Sequence, residues 1–293
     1  MTIVSAETKT YRQTRYSSAG RDVYSQFGED GIIEGILKDM PQNKWCVEFG
    51  AWDGIYLSNT CNLIRNRQYR AVLIEADPKR FSELNENIDS SKNILINKFI
   101  RFEGHDTLDN TLLQTGIPAD FDFLSIDIDG NDYYIFESLS VFRPKVICIE
   151  FNPTIPNEVI FVQKRDFRVK HGASAGAIMQ LATRKGYALV AATYCNLFFV
   201  DQSMLHYLGL EAGYPLDVCR DDEACRCFLF TGYDGTVFSS RPVQLGWQPL
   251  TVTPKGLQVL PALLRAFSGD YTSIQKRMFR VWRSLGKRSG RFQ

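Results

Sequence analysis

Five short apolar runs separated by helix-like stretches do most to limit what this chain can fold into. They lie at 45–49, 71–75, 93–97, 121–127 and 146–151, and they are rich in β-branched residues. Runs this short and this apolar read as strands buried on both faces. The stretches between them, 57–67, 78–88, 108–115 and 133–139, carry helix-like patterns. Strands alternating with helices imply right-handed βαβ units and a mostly parallel sheet with helices on both faces. Further on, Tyr187-Ala188-Leu189-Val190-Ala191-Ala192 and Leu197-Phe198-Phe199-Val200 are separated by Thr193-Tyr194-Cys195-Asn196. That spacing predicts a hairpin, so at least one antiparallel strand joins the sheet.

Composition narrows the class. At 293 residues the chain suits one large domain, or one domain with an extension. Apolar residues make up 44% and charged residues 23%, as in a folded globular protein. Lys and Arg number 34 against 33 Asp and Glu, a net charge of +1, so a polycation that coats nucleic acid is excluded and no nucleic-acid partner is expected. No apolar run reaches the ~18 residues of a membrane span. The first residues carry no charged segment followed by an apolar one, so no secretory signal is visible. The seven cysteines are odd in number and mostly far apart, which reads as reduced thiols in a cytoplasmic protein. The expected organisation is an N-terminal segment and helix over 1–40, a core over 41–205 and an extension over 206–293.

Four of the five parallel-strand candidates end in or beside an acid: Glu48, Glu75, Asp127 and Glu150. In an open α/β sheet, ligands bind beyond the carboxyl ends of the strands. Carboxylates gathered there are costly unless they pair off or something binds them, such as a cationic cofactor, a metal ion or a polyhydroxyl ligand. The first acid opens Glu48-Phe49-Gly50-Ala51-Trp52-Asp53-Gly54, whose glycines let backbone approach a ligand closely. Trp52 stands where the dinucleotide fingerprint has its second glycine, and a tight strand-to-helix turn would read the same. Glu75 suits two ribose hydroxyls, while Asp77 before Pro78 fits a helix N-terminus. Asp127 and Asp129 alternate around Ile128, and Glu150 and Asn152 around Phe151, so each pair can share a face.

Together with Tyr24-Ser25-Gln26-Phe27-Gly28-Glu29-Asp30-Gly31, Leu57-Ser58-Asn59-Thr60, the Asp127-to-Asp132 segment and Ile149-Glu150-Phe151-Asn152-Pro153, these motifs resemble the FkbM-type methyltransferases, which are class I S-adenosylmethionine-dependent enzymes. The resemblance runs from about residue 24 to 200. It implies an α/β, Rossmann-like, seven-stranded sheet in the order 3-2-1-4-5-7-6 with strand 7 antiparallel, which agrees with the hairpin. It implies that Glu48, Gly50, Ala51, Trp52, Asp53 and Gly54 form the loop around the methionine part of S-adenosylmethionine. It also implies Glu75 at the ribose, and further cofactor contacts from Asn59, Ala76, Asp106 and Asp127, with residues 99–106 passing the adenine. Trp52 is bulkier than the small residue many class I enzymes have there. The family mostly methylates hydroxyl oxygens of sugars and natural products, so the expected acceptor is a hydroxylated small molecule or glycan.

Displacement at a sulfonium mainly needs acceptor oxygen and methyl carbon to be aligned, and the hydroxyl must lose its proton to a base or after binding a metal. Asp127, Asp129, Glu150 and Asn152 are hard oxygen ligands that would suit Mg²⁺, although such acids also pair with Lys or Arg. His171 is the alternative base. Methyl transfer to nitrogen or carboxylate, and a non-catalytic cofactor-binding module, remain rival readings.

Gly172-Ala173-Ser174-Ala175-Gly176 matches the hydrolase elbow, but a charged lead-in replaces the required strand, so Ser174 reads as a helix N-terminal residue. Cys219, Cys225 and Cys227, even with His206, lack the paired spacing of a structural zinc site and read as a solvated loop with free thiols. Residues 265–293 hold eight basic residues against one acidic. There Ile274, Met278, Val281 and Leu285 share one helical face, and Lys276, Arg280, Arg283 and Lys287 share the opposite one. This amphipathic helix would dock on the acidic body or meet an anionic surface.

Overall fold

A computed structural model describes residues 14–290, which divide into two compact units, residues 14–224 and residues 225–290. The beginning of the expected 1–40 segment, residues 1–13, therefore lies outside the described residues, as do 291–293. The body was expected to end at 205, and it runs on to Ala224 because Leu205, Leu208, Leu216 and Cys219 are all buried in it.

In the first unit β1 (Trp45–Phe49), β2 (Arg70–Glu75), β3 (Ile94–Asn97), β4 (Phe123–Ile126), β5 (Val146–Glu150), β6 (Tyr187–Ala192) and β7 (Asn196–Asp201) form one sheet in the order β3-β2-β1-β4-β5-β7-β6. β7 runs antiparallel to both β5 and β6, and the other pairings are parallel. Side chains alternate between two apolar faces. Val47, Val72, Leu124 and Ile147 point into one core, and Cys46, Leu73, Phe123 and Cys148 into the other. Each fully buried side chain of the Val, Leu or Phe kind contributes roughly 1.5–3 kcal/mol.

The helices are α1 (Glu29–Lys38), α2 (Cys61–Arg67), α3 (Pro78–Asn87), α4 (Leu108–Leu112), α5 (Asp132–Ser138), α6 (Ala175–Arg184) and a one-turn α7 (Leu216–Cys219). α2 starts later than the expected 57, because Leu57 takes a left-handed φ of 56° and cannot sit in a helix. α3 begins as read: Asp77 accepts from the amides of Lys79 and Arg80, and Pro78 fills the first position. Ser174 caps α6 by accepting from the Ala177 amide, the helix role assigned to it. Cys219 is not in a solvated loop; it closes α7 and is buried. All seven thiols are free.

One buried ion pair, Lys145 Nζ to Asp122 Oδ1 at 2.7 Å, lies before β4 and β5, at the amino ends of the strands. Among the described residues no ion pair is formed by Glu48, Glu75, Asp127, Asp129 or Glu150 at the carboxyl ends.

The second unit holds two small hairpins, β8 (Leu229–Thr231) with β9 (Val237–Ser239) and β10 (Val243–Leu245) with β11 (Leu250–Val252), and the predicted amphipathic helix α8 (Ser273–Arg288). A capping box between Thr272 and Gln275 starts α8. The hairpin strands are three residues long, too short for alternation to reveal them. No helix among the described residues is long and apolar enough to cross a membrane.

Candidate active site

The loop after β1 turns sharply under the end of β2. The amides of Gly50 and Ala51 both donate to the Ile74 carbonyl at 3.1 Å. Gly50 has φ 88°, and a Cβ there would run into the backbone oxygen of Asp127, so this chain segment lies directly against the loop after β4. Trp52 also takes a positive φ, and its amide donates to Glu75 Oε2 at 2.8 Å. Its indole is exposed, with the Arg80 guanidinium carbon 4.0 Å from the ring centroid, so its bulk does not obstruct the loop. Glu75 Oε1 accepts from the Asp77 amide at 2.7 Å. Each Glu75 oxygen thus keeps a lone pair, in a residue only 8% exposed.

Three residues expected at the cofactor are turned into the scaffold. Glu48 is buried and accepts from the Ser58 and Thr60 hydroxyls at 2.6 and 2.7 Å and from the Asn59 amide at 2.8 Å. Burial pushes its carboxyl up, and these three bonds oppose the shift. Asp53 Oδ1 accepts from the Ile55 and Tyr56 amides and closes a turn. Asn59 sends its amide group onto the sheet, donating to Ser125 Oγ at 3.0 Å. Ala76 is exposed past β2, and its carbonyl accepts from Asn97. Asp106 pairs with Lys98 at 3.0 Å, which holds its carboxyl below the usual range.

The loop after β4 gathers the acids. Asp127, Asp129 and Glu150 bring carboxylate oxygens within 4.8 Å of one another. Asp129 has a left-handed φ of 56° and Gly130 a φ of 133°, so the chain folds back on itself. Asp132, buried, holds that turn by accepting from the Ile128 and Gly130 amides, each at 2.9 Å. Burial, then repulsion from Asp132 and Asp129, pushes Asp127 up to about 7. Burial and the Asp127 charge push Glu150 up to about 10, and the two carboxyls are hydrogen-bonded. Glu150 is therefore the proton holder, donating to Asp127. Two buried amide oxygens, Asn131 Oδ1 in this loop and Asn196 Oδ1 on β7 opposite Glu150, have no hydrogen-bond partner. Acids without counter-ions and acceptors without donors suit a ligand that brings positive charge and several N–H or O–H groups.

Residues 103–189 match the family described as the Methyltransferase FkbM domain. That segment is similar to an FkbM methyltransferase domain. The match takes in Asp106, Asp127, Asp129, Glu150, Asn152 and His171 but not the Glu48-to-Glu75 region. No curated protein matches the sequence. Among solved structures, an O-methyltransferase from Bacillus cereus in complex with SAH is 19% identical over 63% of this chain and 86% of that one, with a TM-score of 0.40. M. capricolum TrmK in complex with S-adenosyl-homocysteine is 11% identical over 58% of this chain and 67% of its own, with a TM-score of 0.35. A SAM dependent methyltransferase from Aquifex aeolicus is 11% identical over 57% and 87%, with a TM-score of 0.34. Of the METTL16 MTase domain the chain spans 63%. Likeness at this level carries no argument; the fold rests on the strand order, which is the one the FkbM resemblance implied.

Within the matched segment, Asn152 does not join the acids. Its Oδ1 accepts from the Thr154 amide and hydroxyl at 2.9 and 2.7 Å, and its Nδ2 donates to the His171 carbonyl at 2.9 Å. β5 has ended by then, and the side chain closes a local turn instead of following the strand's alternation. His171 is exposed, with its amide held by Gln163. Its neighbour Lys170 is the residue that reaches the acid loop, donating from Nζ to the Ile128 carbonyl at 3.0 Å.

The long loop between β5 and α6 also meets the expected adenine segment. Phe167 stacks on Phe102 at 4.1 Å and meets Phe99 edge-on at 4.7 Å, with Arg165 over Phe102 at 5.1 Å. Sequence reasoning missed Lys170, Arg165, Phe167 and Asn196, which lie far along the chain from the motifs they join. It used Glu29 only for the resemblance. That buried carboxylate accepts from the Gln26 and Phe27 amides, the Thr193 hydroxyl and Asn196 Nδ2, tying the first turn of α1 to the β6–β7 turn.

Proposed function

We propose that the chain transfers a methyl group from S-adenosylmethionine to a hydroxyl oxygen of a saccharide or sugar-bearing metabolite. The observation that carries this reading is the Asp127–Glu150 carboxyl pair. It has no counter-ion among the described residues, stands on adjacent strand ends and is drawn toward neutral pH as a base. S-adenosylmethionine, when bound, supplies a methyl group on a sulfonium that is its own leaving group. Glu75 would accept from the ribose hydroxyls with the lone pairs left free by Trp52 and Asp77. Backbone from Gly50 to Gly54 would border the methionine part, and Asn131 and Asn196 offer acceptors for its ammonium group. Asp127 would take the acceptor hydroxyl's proton, while Glu150 keeps its own and orients Asp127 by donating to it. The aromatic shelf of Phe99, Phe102 and Phe167 suits the adenine.

The close approach of Asp127, Asp129 and Glu150 oxygens supports a second version of the same chemistry. There the trio would hold a Mg²⁺-like ion that lowers the acceptor's pKa, without the Asn152 ligand expected earlier. The seven free thiols suit the reducing cytoplasm.

The test incubates the protein with S-adenosylmethionine and a panel of hydroxylated acceptors, following a mass gain of one methyl. Asp127→Asn should lower the rate by about 10²–10⁴ while cofactor affinity persists. Chelation should leave the wild-type rate unchanged if Asp127 is a plain base, and abolish it if a metal is needed. Undiminished transfer by Asp127→Asn would overturn the assignment.

A further inference from the structure

We propose that α8 is a membrane-surface element that binds anionic phospholipid, lying in the interface with its apolar stripe down. Turn by turn, α8 divides its circumference in three. Gln275, Phe279, Trp282 and Gly286 are the side turned inward within the second unit: Phe279 packs on Tyr271 and Trp282, Gln275 donates to the Leu263 carbonyl, and Gly286 is buried. Ile274, Met278, Val281 and Leu285 form the adjacent stripe and are 72, 39, 55 and 60% exposed. Their span of 11 residues makes an apolar strip about 17 Å long. A stable helix that packs one stripe and leaves its most aliphatic stripe in water has a second apolar environment to meet.

Charge decides which. Arg277 and Arg288 flank the aliphatic stripe, and Lys276, Arg280, Arg283 and Lys287 fill the remaining face. None of these six forms an ion pair among the described residues. A second copy pairing through the same stripe would set Arg277 and Arg288 against their own kind. An anionic bilayer matches both features, since it offers hydrocarbon beneath a negative surface. The helix is about 10 Å across, so even its far-side cations lie within roughly one Debye length of the headgroups.

This goes beyond methyl transfer: it places the enzyme on a surface, whatever its acceptor. Sedimentation of the full chain with vesicles of phosphatidylcholine plus phosphatidylserine tests it, with phosphatidylcholine alone as the control. The expected result is binding to the mixed vesicles, loss of binding at high salt, and little binding to the neutral ones. Val281→Asp with Leu285→Asp alters exposed positions, so thermal unfolding should stay unchanged while vesicle affinity falls by about tenfold or more. Arg277→Gln with Arg288→Gln should weaken binding by about fivefold for each charge removed. No sedimentation of the parent with mixed vesicles at low salt would overturn the proposal, as would equal sedimentation of the Asp variant. A lowered unfolding midpoint in the Asp variant without vesicle binding by the parent would show that the stripe packs on protein, and would overturn it too.

Discussion

Glu75 shows how much one carboxylate can be asked to do. It holds the Trp52 amide and its own turn through Asp77, and it retains an acceptor site on each oxygen. Glu75→Ala should therefore cost cofactor affinity roughly ten- to a hundredfold, the worth of a charged hydrogen bond of ~1.5–3 kcal/mol, as read by calorimetry on the folded variant. The Asp127–Glu150 pair makes a different prediction, on stability. Both carboxyls hold their proton more tightly in the folded chain than in the unfolded one, where carboxylates titrate near ~4. From there up to about 7 for Asp127 and about 10 for Glu150, the native state binds the extra proton. Stability of the ligand-free protein should accordingly fall as pH rises through that window. Glu150→Gln removes one of the two titrating groups, and the drop in thermal midpoint between about pH 5 and about pH 9 should shrink in the variant. An equal drop in both proteins would separate the pair from the pH response.

At the scale of elements, the β1–α2 connection depends on contacts between loops. Gly50 fits because the loop after β4 leaves no room for a Cβ, and Glu48 anchors Ser58, Asn59 and Thr60 ahead of α2. Gly50→Ala must move either this turn or the Asp127 backbone, and positive φ adds strain of its own. It should destabilise the chain by about 3 kcal/mol or more in denaturant unfolding. It should also disturb Asp127, so any folded fraction should show weakened transfer. The loop between β5 and α6 is the other element that makes the site: Gln163 Oε1 accepts from the His171 and Gly172 amides and so holds Lys170 against Ile128. The carboxyl end of β4 is thereby enclosed by backbone from Gly50 and by the Lys170 side chain.

For the molecule as a whole, every residue placed at the cofactor or the acids precedes Ala224, the end of the first unit. A chain ending at Ala224 should bind S-adenosylmethionine with the affinity of the full protein, measured by calorimetry. It should lose any salt-sensitive attachment that depends on the basic helix, because Lys276 to Arg288 lie in the other unit. A cofactor affinity reduced tenfold by this truncation would mean that the second unit contributes to the site.

The alternation of short apolar runs and helix-like stretches was enough to read β1 to β5, because strands in the middle of such a sheet must be apolar and helices must intervene between parallel neighbours, and the hairpin spacing added β6 and β7. The acids at the strand ends were legible for the same reason, since the end of a run marks where the chain leaves the core. The stripes of α8 followed from the 3.6-residue period. What periodicity could not decide was where a side chain turns once its strand has ended. Asn152 follows its own turn, Asn59 runs onto the sheet, and Glu48 spends its oxygens on α2. Nor could it bring Lys170 to the Ile128 carbonyl, Asn196 opposite Glu150, or Glu29 to Asn196, because those meetings join segments distant in sequence and depend on how loops cross the sheet's carboxyl edge. Tertiary structure alone decided them, and with them which carboxyl keeps the proton, since desolvation and neighbouring charge act through space and not along the chain.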